Sequence, residues 1–284
     1  MKFGIMFANV GPYTTGEGAT TVAEVAESVG FESIWTVEHV VVPKDYQSAY
    51  PYSPTGKMPG GREDFPIPDP LVWLSWVAAK TTTVKLCTGV LILPQRNPLL
   101  LAKEVATLDS MSGGRVELGI GVGWLEEEFD ALGVPFARRG ARTDDHIRAL
   151  KTLWSPDESG TATHDGEFVS FSDVYSRPLP ANGTVPIVVG GHSDAAARRA
   201  GRLGDGFFPG KGDVDELTRL FGIVRDTAKA HDRDPDAIEL TVGMPRDPAD
   251  IERLAEAGVT RMIVPSGTPD QLAKLGERLV AAHG

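Results

Sequence analysis

Eight times along the chain a short apolar stretch is followed by a helix-patterned one, and this alternation limits the possible folds more than any single motif does. The strand-like stretches are Lys2 to Ala8, Ser33 to Val37, Val84 to Thr88, Val116 to Ile120, Ile187 to Val189, Gly206 to Phe208, Ile238 to Val242 and Arg261 to Val264. Helical patterns follow them at Ala19 to Val29, Asp69 to Ala79, Pro98 to Met111, Asp144 to Trp154, Asp194 to Leu203, Asp213 to His231, Pro248 to Ala257 and Pro269 to Ala282. Gly30, Gly204 and Gly258 stop helices, and Pro70 and Pro98 stand in first turns, where a missing N–H costs nothing. Strands joined by helical crossovers run parallel, and eight such units close into a barrel. The expected fold is therefore α/β, a (β/α)8 TIM barrel, as a single domain over 1–284, with a doubly wound sheet as the competitor. Ile5, Ile34, Leu86, Leu118, Val188, Phe207, Leu240 and Ile263 should lie on its successive strands.

Two stretches break the rhythm, giving a barrel with insertions after strand 2 and before strand 5. His39 to Pro68 is rich in Pro, Gly and Tyr and follows the second strand, so on a barrel it belongs to the catalytic face and is a candidate lid. Ser155 to Pro180 precedes the fifth strand, and its alternation around Phe168, Ser170 and Val174-Tyr175 suggests a small hairpin without a catalytic role.

A net charge of −11 argues against nucleic acid or an anionic membrane surface as partner. The N-terminal stretch reads as a strand rather than a signal peptide, and no run is long enough to span a membrane. The single cysteine, Cys87, cannot form an internal disulfide and lies in an apolar run. A cytoplasmic protein acting on a small molecule is the expectation.

The stretch LDSMSGGRVELGIGVGW, residues 108–124, tests for a dinucleotide fingerprint. That motif needs G-x-G-x-x-G running from strand into helix, and Gly119-x-Gly121-x-Gly123 has the wrong spacing. Gly119 falls inside the strand and reads as relief of crowding, while Gly113-Gly114 reads as a helix-ending turn. The histidines have no H-x-x-x-H spacing and there is no cysteine cluster, which rejects a metal site. The absence of G-x-S-x-G rejects a serine elbow.

Chemistry is expected at strand ends. Glu38-His39 follows the second strand, where a proton donor or ring contact is useful, although a histidine that only holds the loop fits equally. Gly89-Val90 follows the third strand and suggests either a bulge near a ligand or a strand continuing to residue 93. Gly190-Gly191-His192-Ser193 opens a helix and is either a phosphate seat or a tight turn with Ser193 or Asp194 as cap. Lys211, after the sixth strand, either meets an anion or is solvated.

With these segments in order, the sequence resembles the luciferase-like family of flavin and deazaflavin oxidoreductases, and within it the coenzyme F420-dependent branch. The residues carrying the likeness are Glu38-His39, TGVLILPQRNP with AKEVATLDSMSGGR, GIGVGW, and PIVVGGHSDAAARRAGRLGDGFF, and it covers nearly the whole chain. The resemblance implies a hydride transfer between F420 and a small organic substrate, with His39 as proton partner or ring contact and Glu38 orienting it or touching the ring. It also implies a cis peptide at Gly89-Val90 against the ring. Gly121, Val122 and Gly123 would then shape the rim, Gly190, Gly191 and Ser193 would seat the phosphate, and Trp124 would form a substrate wall, with Lys211 available to an anionic tail. Sugar-phosphate dehydrogenases of this family carry a Glu where this chain has Trp124, which puts that substrate in doubt. Flavin-using members carry an arginine where this chain has Val122, which tilts the cofactor from FMN to F420. The alternatives are an FMN-dependent monooxygenase and a coenzyme-binding protein without turnover. Helix pairing in the family implies a homodimer.

Overall fold

The computed structural model describes residues 1–58 and 62–283, with the backbone alone for 280–283. Strands β1 (Lys2–Met6), β2 (Ser33–Thr36) and β3 (Lys85–Thr88) are separated by helices α1 (Gly16–Ser28) and α2 (Pro70–Ala78). A two-residue β4 (Leu91–Ile92), α3 (Pro98–Ser112), β5 (Val116–Gly121), α4 (Glu126–Ala131) and α5 (Arg139–Trp154) follow. A hairpin of β6 (Ala162–Asp165) and β7 (Ser170–Val174) leads to β8 (Ile187–Gly190), α6 (Asp194–Leu203), β9 (Gly206–Phe208) and α7 (Val214–Ala230). The chain ends with β10 (Glu239–Gly243), α8 (Pro248–Glu256), β11 (Val259–Pro265) and α9 (Pro269–His283).

The barrel strands pair in parallel in the order β3-β2-β1-β11-β10-β9-β8-β5, and β3 pairs with β5 to close the ring. This is the expected eight-stranded barrel, and all eight residues assigned to successive strands lie on them. Capping explains why the helices begin where they do. Asp69, Asn97, Ser193, Asp213 and Asp247 each accept a backbone N–H of the first turn, a bond worth about 1 kcal/mol per helix. Gly113 ends α3 with φ of 74°, as the Gly-Gly turn required.

Strand alternation sorts the side chains into two cores. Ile5, Ile34, Leu86, Leu118, Phe207 and Leu240 face the helices. Inside the barrel, Trp35, Cys87, Val188, Phe208 and Ile263 form a separate cluster with Met6 packed on it. The Trp35 ring fills the centre: a Cβ on Gly4 would lie 2.9 Å from its Nε1, and one on Gly119 would lie 3.5 Å from its Cζ3 and collide with the Thr88 carbonyl. Gly119 is thus relief of crowding, as its place inside the strand indicated. Below Trp35 lies a charged floor. Fully buried Arg261 donates to Glu32 at 2.9 Å and to Glu117 at 2.9 and 3.0 Å, with Glu239 also 2.9 Å away and Lys85 bonded to Glu117.

Among the boundaries that differ from the sequence reading, two have a visible backbone cause. β1 stops at Met6 because Phe7 adopts a positive φ of 60°. α5 begins at Arg139 rather than Asp144, following Arg138, which is left-handed. After β3 the chain follows the bulge, one of the two courses the sequence left open, and does not continue as one strand. It bulges at Gly89-Val90, where the peptide is cis as the resemblance implied, and re-enters the sheet as β4 beside Ile120 and Gly121.

Candidate active site at the C-terminal mouth of the barrel

The first insertion has no helix or strand among its described residues, and residues 59–61 of that span lie outside the described structure. It is nevertheless anchored. Tyr46, Met58 and Leu125 form a small core of their own, with Val42, Tyr50, Phe65 and Trp124 against it. The anchor is α4, which the sequence reading did not anticipate. Glu127 Oε1 accepts the N–H groups of Gln47 at 2.6 Å and Ser48 at 3.1 Å, and the Glu126 N–H returns a bond to Ser48 Oγ at 3.1 Å. Burial opposes ionisation of Glu127, but the Ser48 hydroxyl and these N–H groups hold its carboxyl down at about 2.

Glu128, with no exposed surface, is the decisive member of this acidic run. Its Oε1 accepts from Val40 N at 2.7 Å, and its Oε2 lies 3.0 Å from His39 Nδ1. The imidazole is therefore oriented by Glu128 and not by Glu38. Successive residues leaving β2 point opposite ways, and Glu38 turns beneath the loop after β3. There it accepts from Ile92 N at 2.5 Å and from Arg96 Nε at 3.0 Å, while Arg96 also reaches Asp69 at 2.7 Å. Burial pushes the Glu38 carboxyl above its ordinary range, with Arg96 pulling it back. Its observed work is to tie three loops together.

Above His39 an aromatic line crosses the mouth. Trp124 meets His39 edge-on at 5.7 Å between centroids, Tyr46 at 5.4 Å and Tyr50 at 5.2 Å. Tyr50 then meets Tyr52 at 5.4 Å, and Tyr52 meets His192 at 5.1 Å. Burial, with Tyr52 and Tyr46 nearby, pushes the Tyr50 phenol up to about 12. The insertion thus spans from the loop after β2 to the loop after β8, and Lys211 fastens it by donating to the Pro51 carbonyl at 2.6 Å. Lys211 is exposed and touches the insertion through this one bond.

The glycines acquire a shared reason. A Cβ on Gly121 would lie 2.6 Å from Val90 Cγ2, and one on Gly190 would lie 2.5 Å from Val90 Cγ1. Both glycines therefore flank the Val90 side chain of the bulge. Gly123 (φ 79°) turns the chain toward Trp124 and hands its carbonyl to Arg139 Nε at 3.0 Å, and Gly191 has φ of 121°. Val122, between Gly121 and Gly123, is partly buried. Ser193 caps α6 through Ala196 N at 3.2 Å, so the cap is present, and the other N–H groups of that turn face the mouth end of the helix. Next to it the His192 Nδ1 is buried without a partner, and burial followed by Lys211 pushes that imidazole down.

The second insertion forms the expected hairpin, fixed on α5 where Asp145 accepts from Phe168 N at 2.7 Å and pairs with His164 at 2.9 Å. No helix among the described residues is long and apolar enough to cross a membrane.

Residues 1–283 match the model of the luciferase-like monooxygenase family, and an uncharacterized protein of Mycobacterium tuberculosis is 34% identical over 95% of both chains. The chain belongs to the luciferase-like family. Within that family an F420-dependent glucose-6-phosphate dehydrogenase of Kineococcus radiotolerans is 35% identical over 76% of this chain and 60% of its own. Among solved structures, an F420-dependent secondary alcohol dehydrogenase with an F420-acetone adduct superposes with a TM-score of 0.80 at 17% identity, covering 100% of this chain and 99% of the other. The barrel fold seen here thus recurs at low identity.

The residues present suit a flat ring with an anionic arm. Val90 between two glycines offers a narrow apolar ridge, and His192 Nδ1, without a partner among the described residues, lies beside the α6 N-terminus. Both features sit at the end of the barrel where the insertion supplies a roof.

Proposed function

We propose that this luciferase-like protein is a coenzyme F420-dependent oxidoreductase moving a hydride between the deazaflavin and a small organic substrate. The observation that carries the reading is one imidazole, His39, held by a fully buried carboxylate and walled by Trp124 at the mouth of the barrel. When bound, the deazaflavin supplies hydride donation or acceptance, and the protein supplies position and charge. Val90 with Gly121 and Gly190 would support the ring, and Gly191, Ser193 and His192 would hold the phosphate. With Glu128 on Nδ1, neutral His39 carries its proton there and leaves Nε2 free to take a proton from a substrate hydroxyl, or in its protonated form to give one. Trp124 and the tyrosines exclude water from that exchange.

The cofactor choice is tested by titration. Val122 offers no charge to the terminal dianion of FMN, so F420 should bind at least about tenfold tighter, roughly 1.4 kcal/mol, and Val122→Arg should narrow the gap. Equal or tighter binding of FMN, with oxygen uptake on reduced FMN, selects the monooxygenase reading. Tight coenzyme binding with no turnover of any substrate selects the carrier. We also propose a cytoplasmic homodimer. Val72 and Trp76 on α2, with Leu100 and Met111 on α3, are 50% to 83% exposed and support the pairing of these helices.

A further inference from the structure

The end of β1 departs from strand geometry at the rim of the mouth. Met6 points into the barrel, and a Cβ on Gly89 would lie 3.2 Å from its sulfur, so it adjoins the Gly89-Val90 bulge. The next residue, Phe7, has φ of 60°, a conformation that bulky side chains rarely adopt. The backbone on either side is fixed. Met6 O accepts from Ser266 N at 2.9 Å, and Ala8 N donates to Trp35 O at 3.0 Å. Fully buried Asn9 then exchanges bonds of 2.9 and 2.8 Å with the Val37 backbone and reaches Pro68 O at 3.2 Å. Ordinary alternation would bury residue 7 against the helices, as it does Phe3 and Ile5. The left-handed step instead leaves Phe7 39% exposed at the C-terminal end of its strand. A non-glycine residue in this region costs about 1–3 kcal/mol and persists where the surroundings impose it, a pattern concentrated at ligand sites.

The charges around the mouth are a second, independent observation. Arg96 is held by Glu38 and Asp69, Lys57 lies over the Tyr46 ring with Glu63 at 3.7 Å, and Arg62 pairs with Asp64 at 2.9 Å. Lys211 and Arg139 donate to backbone carbonyls, at Pro51 and Gly123. A phosphorylated substrate needs cationic donors free to grip it, preferably in a fork. The three arginines are already engaged, Lys44 on the insertion is a lone exposed ammonium without a partner among the described residues and cannot form a fork, and aromatic surface is plentiful.

We propose that Phe7 is a specificity-determining residue that contacts the substrate, and that the substrate is an uncharged, ring-bearing carbonyl compound or its alcohol rather than a sugar phosphate. The ring is met by Phe7 and by the wall of Trp124 and Tyr50. The proposal rests on the reading of the mouth as the site of hydride transfer.

Saturation-transfer NMR on the full chain, with and without F420, tests it using cyclohexanone, acetophenone and glucose 6-phosphate as probes. The two ketones should receive saturation and glucose 6-phosphate should not. Phe7→Gly should weaken acetophenone about tenfold, while Phe7→Tyr, which keeps the ring, stays within about twofold. Glycine accepts a positive φ, so the Phe7→Gly protein should also melt about 1–4 °C higher. A gain in stability with a loss of ligand is a combination that a purely structural Phe7 does not produce. Unchanged acetophenone binding in Phe7→Gly, a lower melting temperature for that variant, failure of both ketones to bind the unmodified chain, or preferential binding of glucose 6-phosphate would each overturn the proposal. F420 titration of the same proteins, followed by coenzyme fluorescence, separates the two readings. Ketone binding that depends on Phe7 in a chain unable to bind F420 sustains this proposal and removes the coenzyme assignment.

Discussion

Glu128 Oε2 lies 3.0 Å from His39 Nδ1 although 89 residues separate them in the chain. The contact joins the loop after β2 to the short helix after β5, so one carboxylate both fixes the imidazole and roofs the mouth. Replacing Glu128 with Gln keeps the shape and an acceptor for Val40 N but removes the charge. The expected outcome is a loss of about 10- to 100-fold in kcat, on the scale of acid–base assistance, with coenzyme affinity unchanged. Steady-state kinetics beside a coenzyme titration measures this, and an equal loss in both quantities would show collapse of the roof instead. Glu128→Ala should in addition cost about 1–3 kcal/mol in urea melts, because the Val40 N–H loses its partner.

The Val90 ridge predicts a rescue. Gly121→Ala and Gly190→Ala each bring a methyl to 2.6 or 2.5 Å from a Val90 methyl, forcing the ridge to shift. Coenzyme affinity should fall at least about tenfold for each, a change of about 1.4 kcal/mol. Adding Val90→Ala should restore the melting temperature lost to the clash but not the affinity, since the ridge itself is gone. Full recovery of both would mean that Val90 does not support the coenzyme.

Acid should loosen the roof and, by the same chemistry, the tie between α1 and the turn before β3. The Glu127 carboxyl is held down at about 2 against an ordinary 4.5, and Glu27 is likewise held at about 2, against burial, by the Thr83 hydroxyl and the N–H groups of Thr82, Thr83 and Val84. A lowered folded-state value means that the stabilisation is fully present above 4.5 and is lost as the pH falls from there toward 2. Glu127→Gln should therefore flatten the decline in protection of the Gln47 and Ser48 amides between pH 5 and 3, read by hydrogen exchange. An identical decline in the variant would assign the acid response elsewhere. Glu38 acts in the opposite sense. Its raised value gives a contribution that is complete below 4.5 and diminishes as the pH rises through the folded-state value.

The barrel floor gives a prediction about stability alone. Arg261 is fully buried between Glu32, Glu117 and Glu239. Arg261→Met strands those carboxylates and should cost about 3–5 kcal/mol, measured by denaturant melts. Substituting Arg261 and Glu117 together by apolar residues should recover part of it. A single variant as stable as the parent would show that water reaches the floor.

The eight-unit rhythm was legible because each strand and helix carries its own pattern, and Pro70 and Pro98 marked helix starts locally. The position of His39 at a strand end was legible for the same reason. Its true partner was not. Glu126-Glu127-Glu128 reads as a solvated acidic run, and only the flanking Trp124, Leu125 and Phe129 hinted that one carboxylate lies inside. Adjacent Glu38 was the natural candidate by sequence, yet the reversal of side chains leaving β2 sent it to Arg96. Gly121 and Gly190 were visible as glycines, but their common neighbour Val90 belongs to a third strand end, a relation that tertiary closure alone creates.

Trp35 and the Arg261 network have a kinetic consequence. With the centre of the barrel filled and its lower end closed by ion pairs, a ligand at the mouth has no path along the barrel axis to the other end. A coenzyme bound against the Val90 ridge, as proposed, would then have to enter before a substrate that stacks over it and leave after it. Binding order is then a property of the architecture, and the loops above can diversify toward new substrates without altering the sequence of events below them.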